Sequence, residues 1–427
     1  MNEFDVSKAV MKLMIILYLL HKLLPVVGYY MSMPIYLAVF LLTALMTLYM
    51  AFNSKVSHWA TISLVLFFPS VFDALYVFFN STPVDTAKYL YGEAQVYIFI
   101  VIALLHTKLL DSRSNKKLLM VIMGAYFLTA LSTGIVCTQT PNVARIITGH
   151  SESEIYYAYR KQNVGDFVFT YEFILLTPLL ACCLKNKTIN RMFGIALMIF
   201  IGWVVLKMQF TLGIILFATI TLTLLLPRLK VNHIVFLVFC ITAIFLFARP
   251  LLGDMFEYLS GTVENKDIAS RFEYIETILR GEEISRALEN NAGTRFERYI
   301  RSLQAFLNNP LGHWGTGDNG GHSYILDRAA MFGLPGLVAI AVMYFSMYNI
   351  FLKPYHNSSC YPYLLLGFLL SIVMATINTM TFMFIFVCVY PLFARVYSEN
   401  ERTAVGSLII SNSRGLIYEK DFHNRRC

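Results

Sequence analysis

The sequence predicts an all-helical protein that crosses a membrane many times. Of its 427 residues, 57% are hydrophobic and only 14% are charged, and the mean hydropathy is +0.60. A soluble domain carries about a quarter charged residues. Apolar runs of spanning length recur along the chain, and a helix satisfies its own backbone hydrogen bonds in lipid. The composition therefore indicates a polytopic membrane protein rather than a water-soluble one.

Twelve apolar runs define the predicted spans. The first follows a basic lead, as in a signal peptide, but no small-residue cleavage site comes after it, so we expect an uncleaved helix. The seventh and eighth runs are separated by only a few residues, and they form either a tight hairpin or one long kinked helix. The twelve runs are 8–27, 33–52, 58–79, 90–107, 117–138, 164–184, 190–206, 209–226, 233–249, 322–352, 360–378 and 380–397.

The basic residues of the short connecting segments decide the topology. Lysine and arginine are enriched on the cytoplasmic side of membrane proteins, and twelve spans with a cytoplasmic N-terminus place most of them there. Merging 190–226 into one helix would put Arg228 and Lys230 outside and reverse the bias. We therefore predict a single membrane domain with both termini cytoplasmic, a periplasmic loop at 250–321 and a cytoplasmic tail at 398–427. The net charge of +8 follows from this bias and is no sign of nucleic-acid binding.

Cysteines and carboxylates limit the chemistry further. The external loop contains none of the seven cysteines, so neither a disulfide framework nor a zinc site is expected there. Two carboxylates, Asp73 and Glu172, fall inside predicted spans, where an unpaired charge is costly. We expect them to pair with a cation or to line a groove for the ligand. The candidate cations are Arg145, Arg160 and Lys207.

The external loop is predicted to contain two amphipathic helices, at 267–280 and 295–307. Their apolar residues recur every three or four positions, which places them on one helical face. In the second helix, Arg295, Arg298 and Arg301 fall on the opposite face. We expect both helices to lie on the outer face of the membrane protein with their apolar sides down.

An arginine stripe at this depth suits an anionic ligand. Arginine stays charged at any pH and binds phosphate through two parallel hydrogen bonds. A lipid-linked pyrophosphate presents its phosphates at this membrane interface. The alternative is a solvated face on which the arginines pair with Glu297 and its neighbours.

A helix-ending turn and then a histidine follow the arginine stripe. Asn-Asn-Pro-Leu-Gly at 308–312 ends the helix, and a glycine-rich loop comes next, whose backbone can approach a ligand closely. His322 then stands at the start of the tenth predicted span. A neutral imidazole there can take a proton from a sugar hydroxyl near neutral pH. The alternative is a structural histidine at a helix end, which is how we interpret His313.

Taken in order along the chain, the arginine helix, the turn, the histidine and the glycine pair after it resemble the signature of the O-antigen polymerase and O-antigen ligase superfamily. That signature has an arginine helix, an N-P-x-G turn, an H-[NS]-x-[LYF] step and a G-[IL]-x-G pair. The matching residues are Arg295, then Asn-Pro-Leu-Gly at 309–312, His-Ser-Tyr at 322–324 and Gly-Leu-Pro-Gly at 333–336. One element departs from the pattern. Many members carry a Ser-Arg-Gly-like step in a hairpin where this chain has no arginine, and Lys207 is the cation available there.

The resemblance implies a fold like that of membrane glycosyltransferases that use lipid phosphosugars. It also implies a glycan transfer that needs neither a metal nor a cofactor. As the expected catalytic residues, Arg295 would contact the donor pyrophosphate, and His322 would orient or deprotonate the acceptor hydroxyl. Stabilising the departing pyrophosphate is an electrostatic task that arginine can perform. The residues expected to bind substrate are Arg298, Arg271, Lys207, Tyr324 and Arg145.

On this basis we predict a polymerase in the inner (cytoplasmic) membrane of a bacterium. It would join undecaprenyl-pyrophosphate-linked oligosaccharide repeat units into O-antigen or a related surface polysaccharide at the periplasmic face. The expected partners are these lipid-linked oligosaccharides, membrane lipid and a chain-length regulator protein. One alternative is the ligase of the same superfamily, which transfers the polymer to lipid A-core. An alternative of another class is a flippase or transporter of lipid-linked oligosaccharides, which predicts an internal symmetry that the two halves do not show.

Overall fold

All regular secondary structure in the described part of this computed structural model is helical, as predicted. The described residues are parts of 13–31, then 112–149 and 154–234 with short gaps, 249–262, scattered positions in 269–280, and 291–314, 320–378 and 384–401. Several predictions lie outside them. These are the spans at 33–52, 58–79 and 90–107, most of 233–249, most of the tail, Asp73 and Arg271.

From Ser112 to Leu222 the described helices follow one another with short connections. Helical residues within 13–23 lead into the first helix, Pro25–Tyr30. The long helix Tyr324–Met347 continues through a π-helical turn, Tyr348–Leu352, and a short 3₁₀ turn, Lys353–Tyr355. A second π-helical segment, Phe384–Val389, leads into a final helix, α13, at 390–401. The others are α1 Pro25–Tyr30, α2 Ser112–Gln139, α3 Val143–Gly149, α4 Glu154–Lys161, α5 Phe167–Leu175, α6 Thr177–Lys185, α7 Arg191–Met208, α8 Thr211–Leu222, α9 Arg249–Thr262, α10 Asn291–Asn308, α11 Tyr324–Met347 and α12 Tyr361–Ile377.

Four helical stretches are long and apolar enough to cross a membrane. Large apolar side chains on α2 and α7, such as Phe127, Phe193 and Ile199, are exposed. Surfaces of this kind suit lipid rather than water. The helices therefore have the length, composition and surface of a membrane protein. The four stretches are Ser112–Gln139, Phe167–Lys185, Arg191–Met208 and Tyr324–Tyr355.

The chain reverses between α7 and α8. Gln209 ends α7 in the left-handed conformation, with φ of 55°. A Cβ atom built on Gly202 would lie 3.0 Å from the ring of Phe217. In one straight helix these two residues would be roughly 22 Å apart. The two helices therefore pack against each other as a hairpin, which is the reading that the distribution of basic residues favoured.

The junction between α5 and α6 is held by the end of the chain. Pro178 has no backbone N–H, and the N–H of Leu179 bonds to the carbonyl of Leu176 at 3.1 Å instead of to that of Leu175. The freed Leu175 carbonyl accepts a hydrogen bond of 2.6 Å from the hydroxyl of Tyr390, which is fully buried. This bond ties α13 to the interior of the helical core.

A buried carboxylate joins three helical segments. Glu172 accepts a 2.8 Å hydrogen bond from the hydroxyl of Tyr126, and its other oxygen lies 3.8 Å from the ammonium of Lys22. The expectation that Glu172 is paired is confirmed, but the expected partners were wrong. Lys22 comes from the first helical segment, which periodicity alone could not place beside α5.

Replacing Lys22 by methionine should destabilise the protein by roughly 1–3 kcal/mol, because Glu172 would stay buried without its cation. The measurement is thermal unfolding of the purified protein in detergent. Adding Glu172→Gln to the same chain should restore part of the loss, since the buried charge is then gone. Equal destabilisation in the single and double variants would contradict this.

An ion-pair cluster joins α9 to the residues around 276–280. Arg280 donates hydrogen bonds to Glu257 at 2.5 Å and to Asp254 at 3.1 Å, and it lies 3.3 Å from Glu276. The hydrogen bond to Glu257 raises the pKa of Arg280 above its usual value, and nearby carboxylates add to this. Arg280 therefore ties its segment to α9.

Helix α11 is broken at Gly333. This residue has φ of 62° and ψ of −148°, a conformation that is open almost only to glycine. A Cβ atom on Gly336 would lie 2.9 Å from the carbonyl oxygen of Arg328, eight positions earlier. A straight helix would separate the two by roughly 12 Å. The half before the break, 324–332, therefore folds back sharply against the half that follows.

The residues around Gly333 are hydrogen-bonded to the turn that follows α10. Pro335 lacks an N–H, so the carbonyl of Met331 has no helical partner, and it accepts a 3.0 Å hydrogen bond from the N–H of Trp314. The N–H of Leu334 donates to the carbonyl of Pro310 at 2.8 Å. The two proline-glycine pieces of the sequence thus satisfy each other's backbone. After the break, residues 334–355 still provide the roughly 20 residues that a membrane span needs.

Candidate functional site

Helix α10 packs against α11. The paired residues advance together along both segments, from Arg298 with His322 to Ser302 with Asp327, so α10 runs in the same direction as the first half of α11. The contact is polar at its centre. Ser302 is fully buried and donates a 2.7 Å hydrogen bond to Oδ1 of Asp327. The Ser302 hydroxyl also accepts a 2.9 Å bond from the N–H of Gly320. One small side chain therefore joins α10, α11 and the loop between them.

Asp327 organises the start of α11. Its second oxygen accepts a 2.9 Å hydrogen bond from the N–H of Ser323, while the Ser323 hydroxyl caps the helix by accepting from the N–H of Leu326. Asp327 is only 6% exposed, so both contacts are shielded from water. Since Ser323 directly follows His322, this network holds the backbone that carries the histidine.

Arg298 and His322 are in contact next to this network, one turn before Ser302 on α10 and one residue before Ser323. The distance from Nη1 of Arg298 to Nε2 of His322 is 2.8 Å. A guanidinium has only donors, so Nε2 is the acceptor and the ring proton lies on Nδ1. The loop passes directly over this turn of α10, because a Cβ atom on Gly320 would overlap the backbone of Arg298. Glycine is therefore required at 320 for the pair to form.

Tyr324, the first residue of α11 and two positions after His322, is buried. Its N–H donates to the carbonyl of Asn378 at 2.9 Å, and the guanidinium of Arg328 lies 3.7 Å from the centre of its ring. The hydroxyl of Tyr299 on α10 donates to the neighbouring carbonyl of Ile377 at 2.5 Å. The end of α12 is thus tied to α10 and α11, and one face of the Tyr324 ring is already covered.

The arginine stripe divides into different roles. Arg301 pairs with Glu297 at 2.9 Å on the exposed surface, as the solvated-face alternative expected for it. Arg298 contacts His322. Arg295 lies in α10, but its side chain is outside the described residues. Of the stripe arginines whose side chains the structure describes, Arg298 is therefore the one that contacts His322.

The remaining predicted site residues are spread over other helices. Arg145 lies in α3 with its side chain outside the described residues, and Lys207 is half-buried in the last turn of α7. His313 contacts the carbonyl of Ala305 at 3.1 Å, which agrees with its interpretation as a structural histidine. Within the described residues, no group of three His, Cys, Asp or Glu side chains is placed to hold a metal ion.

Sequence reasoning missed Ser302 and Asp327. For Asp327 a signal was present, because an acidic residue in the first turn after a serine N-cap is typical of a helix start. For Ser302 there was none, since one serine on an amphipathic helix indicates no partner. The expectation that the apolar side of α10 lies against the protein is not met at Leu303 and Leu307, which are exposed while Ser302 is buried. Ile300 is half-buried, and the side chain of Phe296 lies outside the described residues.

Replacing Asp327 by alanine should lower the activity roughly 10- to 100-fold, because the backbone that carries His322 loses its anchor. Asp327→Asn should restore most of it, since the amide oxygen can accept from Ser323 and the amide nitrogen can donate to Ser302. Turnover of the purified protein is the measurement, with thermal unfolding recorded beside it. If the asparagine and alanine variants lose equal activity, the positioning role is wrong.

No family model, no curated protein and no solved structure matches the chain.

Proposed function

We propose that the protein is a glycan polymerase that acts on lipid-linked oligosaccharides at the outer face of a bacterial inner membrane. The observation that carries the proposal is the contact between Arg298 on α10 and His322 just before α11, whose side-chain nitrogens are 2.8 Å apart. The cation suits a pyrophosphate, and the imidazole suits a hydroxyl. The motif resemblance supplies the reaction, with Arg295 as the expected catalytic arginine and Arg298 as a substrate-binding one. Because the side chain of Arg295 lies outside the described residues, the proposal gives the pyrophosphate to Arg298.

In the proposed reaction, the growing glycan on undecaprenyl pyrophosphate is the donor. A hydroxyl of the next lipid-linked repeat unit attacks the anomeric carbon of the donor, so a carbon–oxygen bond forms there. The bond from that carbon to the pyrophosphate oxygen breaks, and undecaprenyl pyrophosphate leaves with the electron pair. His322 takes the hydroxyl proton, and Arg298 neutralises part of the charge that develops on the leaving group.

The contact between the two residues has a consequence for this reaction. Nε2 of His322 cannot accept a proton while its lone pair accepts the hydrogen bond from Arg298. A pyrophosphate offers Arg298 a charged acceptor, which forms a stronger hydrogen bond than a neutral imidazole does. Donor binding would therefore draw Arg298 away and free Nε2 as the base for the acceptor hydroxyl.

The same proposal includes the topology. Twelve spans with both termini in the cytoplasm place 250–321 and His322 outside, where no ATP is available. The energy of the reaction would then come from the glycosyl pyrophosphate bond. Resistance of a cysteine introduced in 250–321 to a membrane-impermeant thiol reagent added to spheroplasts would contradict this orientation.

The direct test is a gel of surface glycan from cells that lack the gene and carry a plasmid copy. Without the protein we expect a single repeat unit attached to lipid A-core, and wild type should restore the ladder. Arg298→Ala should look like the deletion, Arg298→Lys should give a weak ladder, and Arg301→Ala should look like wild type. Arg301 is the matched control because it lies one turn away and pairs with Glu297.

Other outcomes would overturn the polymerase. If the deletion abolishes all attached glycan while long lipid-linked polymer accumulates, the protein is a ligase. If repeat units accumulate on the cytoplasmic face, it is a flippase. A normal ladder from Arg298→Ala at wild-type protein level would exclude Arg298 from the site.

A further inference from the structure

Helix α10 turns its apolar side away from the protein. Leu303 and Leu307 are four residues apart and share one face, while Arg298 and Ser302 share another. The second face meets His322 and Asp327, and the first is open, with Leu307 at 63% exposure. An amphipathic helix in water would be expected to bury its leucines instead.

The open apolar side continues beyond the end of α10. Leu311, in the following turn, is 70% exposed, and Trp314 after it is 45% exposed. We name these four residues, Leu303, Leu307, Leu311 and Trp314, the α10 apolar strip. A tryptophan at the end of such a strip is typical of the boundary between lipid and water, because its ring is apolar and its N–H is polar.

The strip joins a surface that faces lipid. The backbone of Leu334 is hydrogen-bonded to Pro310, which directly precedes Leu311. From Leu334 the second half of α11 presents a row of exposed apolar side chains at helical spacing, on a stretch apolar enough to span a membrane. The row is Leu334, Val338, Val342 and Phe345. A single apolar surface therefore runs from this helix through the turn onto α10.

We propose that the α10 apolar strip is embedded in the bilayer, in contact with lipid chains, so that α10 is an interfacial membrane helix. The apolar row of α11 identifies lipid as the occupant, because its first residue, Leu334, is hydrogen-bonded to Pro310 beside the strip, and both surfaces are exposed and apolar. The polar side of α10 then faces the protein, and the pair of Arg298 and His322 lies at headgroup depth.

The headgroup depth of Arg298 would match the depth of the phosphate in a lipid-linked ligand. A phosphate that is attached to a membrane-anchored tail lies at the headgroup level, so it would reach Arg298 without leaving the bilayer. The strip would lie beside the tail of such a ligand. The inference does not depend on the proposed reaction, because it is tested by depth in a membrane rather than by turnover.

The test uses spin labels on the full chain in lipid vesicles, with the native cysteines replaced by alanine. Nitroxides at Leu303→Cys and Leu307→Cys should be relaxed more by oxygen, which concentrates in lipid, than by a water-soluble nickel chelate. Arg301→Cys, on the opposite exposed side of the helix from Leu303, should show the reverse. Val338→Cys on α11 is the positive control for lipid.

A second readout leaves the cysteines in place. The chain has three tryptophans, so Trp59→Phe with Trp203→Phe leaves Trp314 as the reporter. Its fluorescence should fall when the vesicles contain brominated phosphatidylcholine. Nickel accessibility at Leu303 and Leu307 equal to that at Arg301 would place the strip in water and overturn the proposal. Protection from both reagents would indicate a second protein copy on the strip, which would also overturn it.

Discussion

Replacing His322 by glutamine should reduce polymer formation by roughly 10²–10⁴-fold while leaving the protein folded. The amide oxygen of glutamine can accept the hydrogen bond that Arg298 donates to Nε2, so the contact across the site is kept. Glutamine cannot take up a proton near neutral pH, so the base is lost. The measurement is the rate at which purified protein in lipid nanodiscs extends a lipid-linked repeat unit.

The chain offers a matched control for this variant. His313 lies nine positions earlier in the same loop, and its Nε2 contacts the carbonyl of Ala305. Since a glutamine amide can donate to that carbonyl, His313→Gln should keep nearly wild-type turnover. Both variants should unfold at the wild-type temperature. If His322→Gln retains more than a tenth of the wild-type rate, His322 is not the base.

Replacing Gly333 by alanine should destabilise the protein by roughly 3 kcal/mol or more, the largest stability effect that we expect from a single methyl group. Its backbone conformation is unfavourable for any residue with a side chain. The added Cβ would also overlap the backbone of Pro310 and Leu311. Because backbone cannot rotate away as a side chain can, the docking of the turn on α11 would be lost.

The result is read as the unfolding temperature and the yield of monodisperse protein in detergent. Gly124→Ala is the control, since Gly124 lies exposed in α2 and a Cβ there meets nothing within 4 Å. That variant should be neutral or slightly stabilising, because alanine favours the helix. Equal behaviour of Gly333→Ala and Gly124→Ala would show that the break does not need glycine.

Local signals were enough to predict several elements. The sequence placed a helix at 295–307 and another at 360–378, and the structure has them at Asn291–Asn308 and Tyr361–Ile377. Both follow from the spacing of apolar residues and from the prolines and asparagines at the ends, which act within a few positions. The Gly-Leu-Pro-Gly motif at 333–336 was visible as well, but the predicted span at 322–352 ran through it without a break.

Directions in space were harder to predict. Arg295 and Arg298 are three residues apart, so periodicity gave them the same face, and only the motif resemblance named Arg295 as the catalytic one. The side chain of Arg295 lies outside the described residues, whereas Arg298 contacts His322. That contact depends on the register of α10 along α11, in which the buried Ser302 meets Asp327. In the same way, Glu172 was expected to be paired, but Lys22 was brought to it by packing of distant helices.

The sequence by itself determined the class of the protein, the amphipathic character of α10 and the pieces from which the site is built. These depend on composition and on spacing along one helix, which are local properties. Only the tertiary structure decided that α11 folds back at Gly333, that Arg298 contacts His322, and that Leu303 and Leu307 of α10 face away from the protein. Each of these depends on backbone and side-chain contacts between residues far apart in the chain, and no local pattern carries that information.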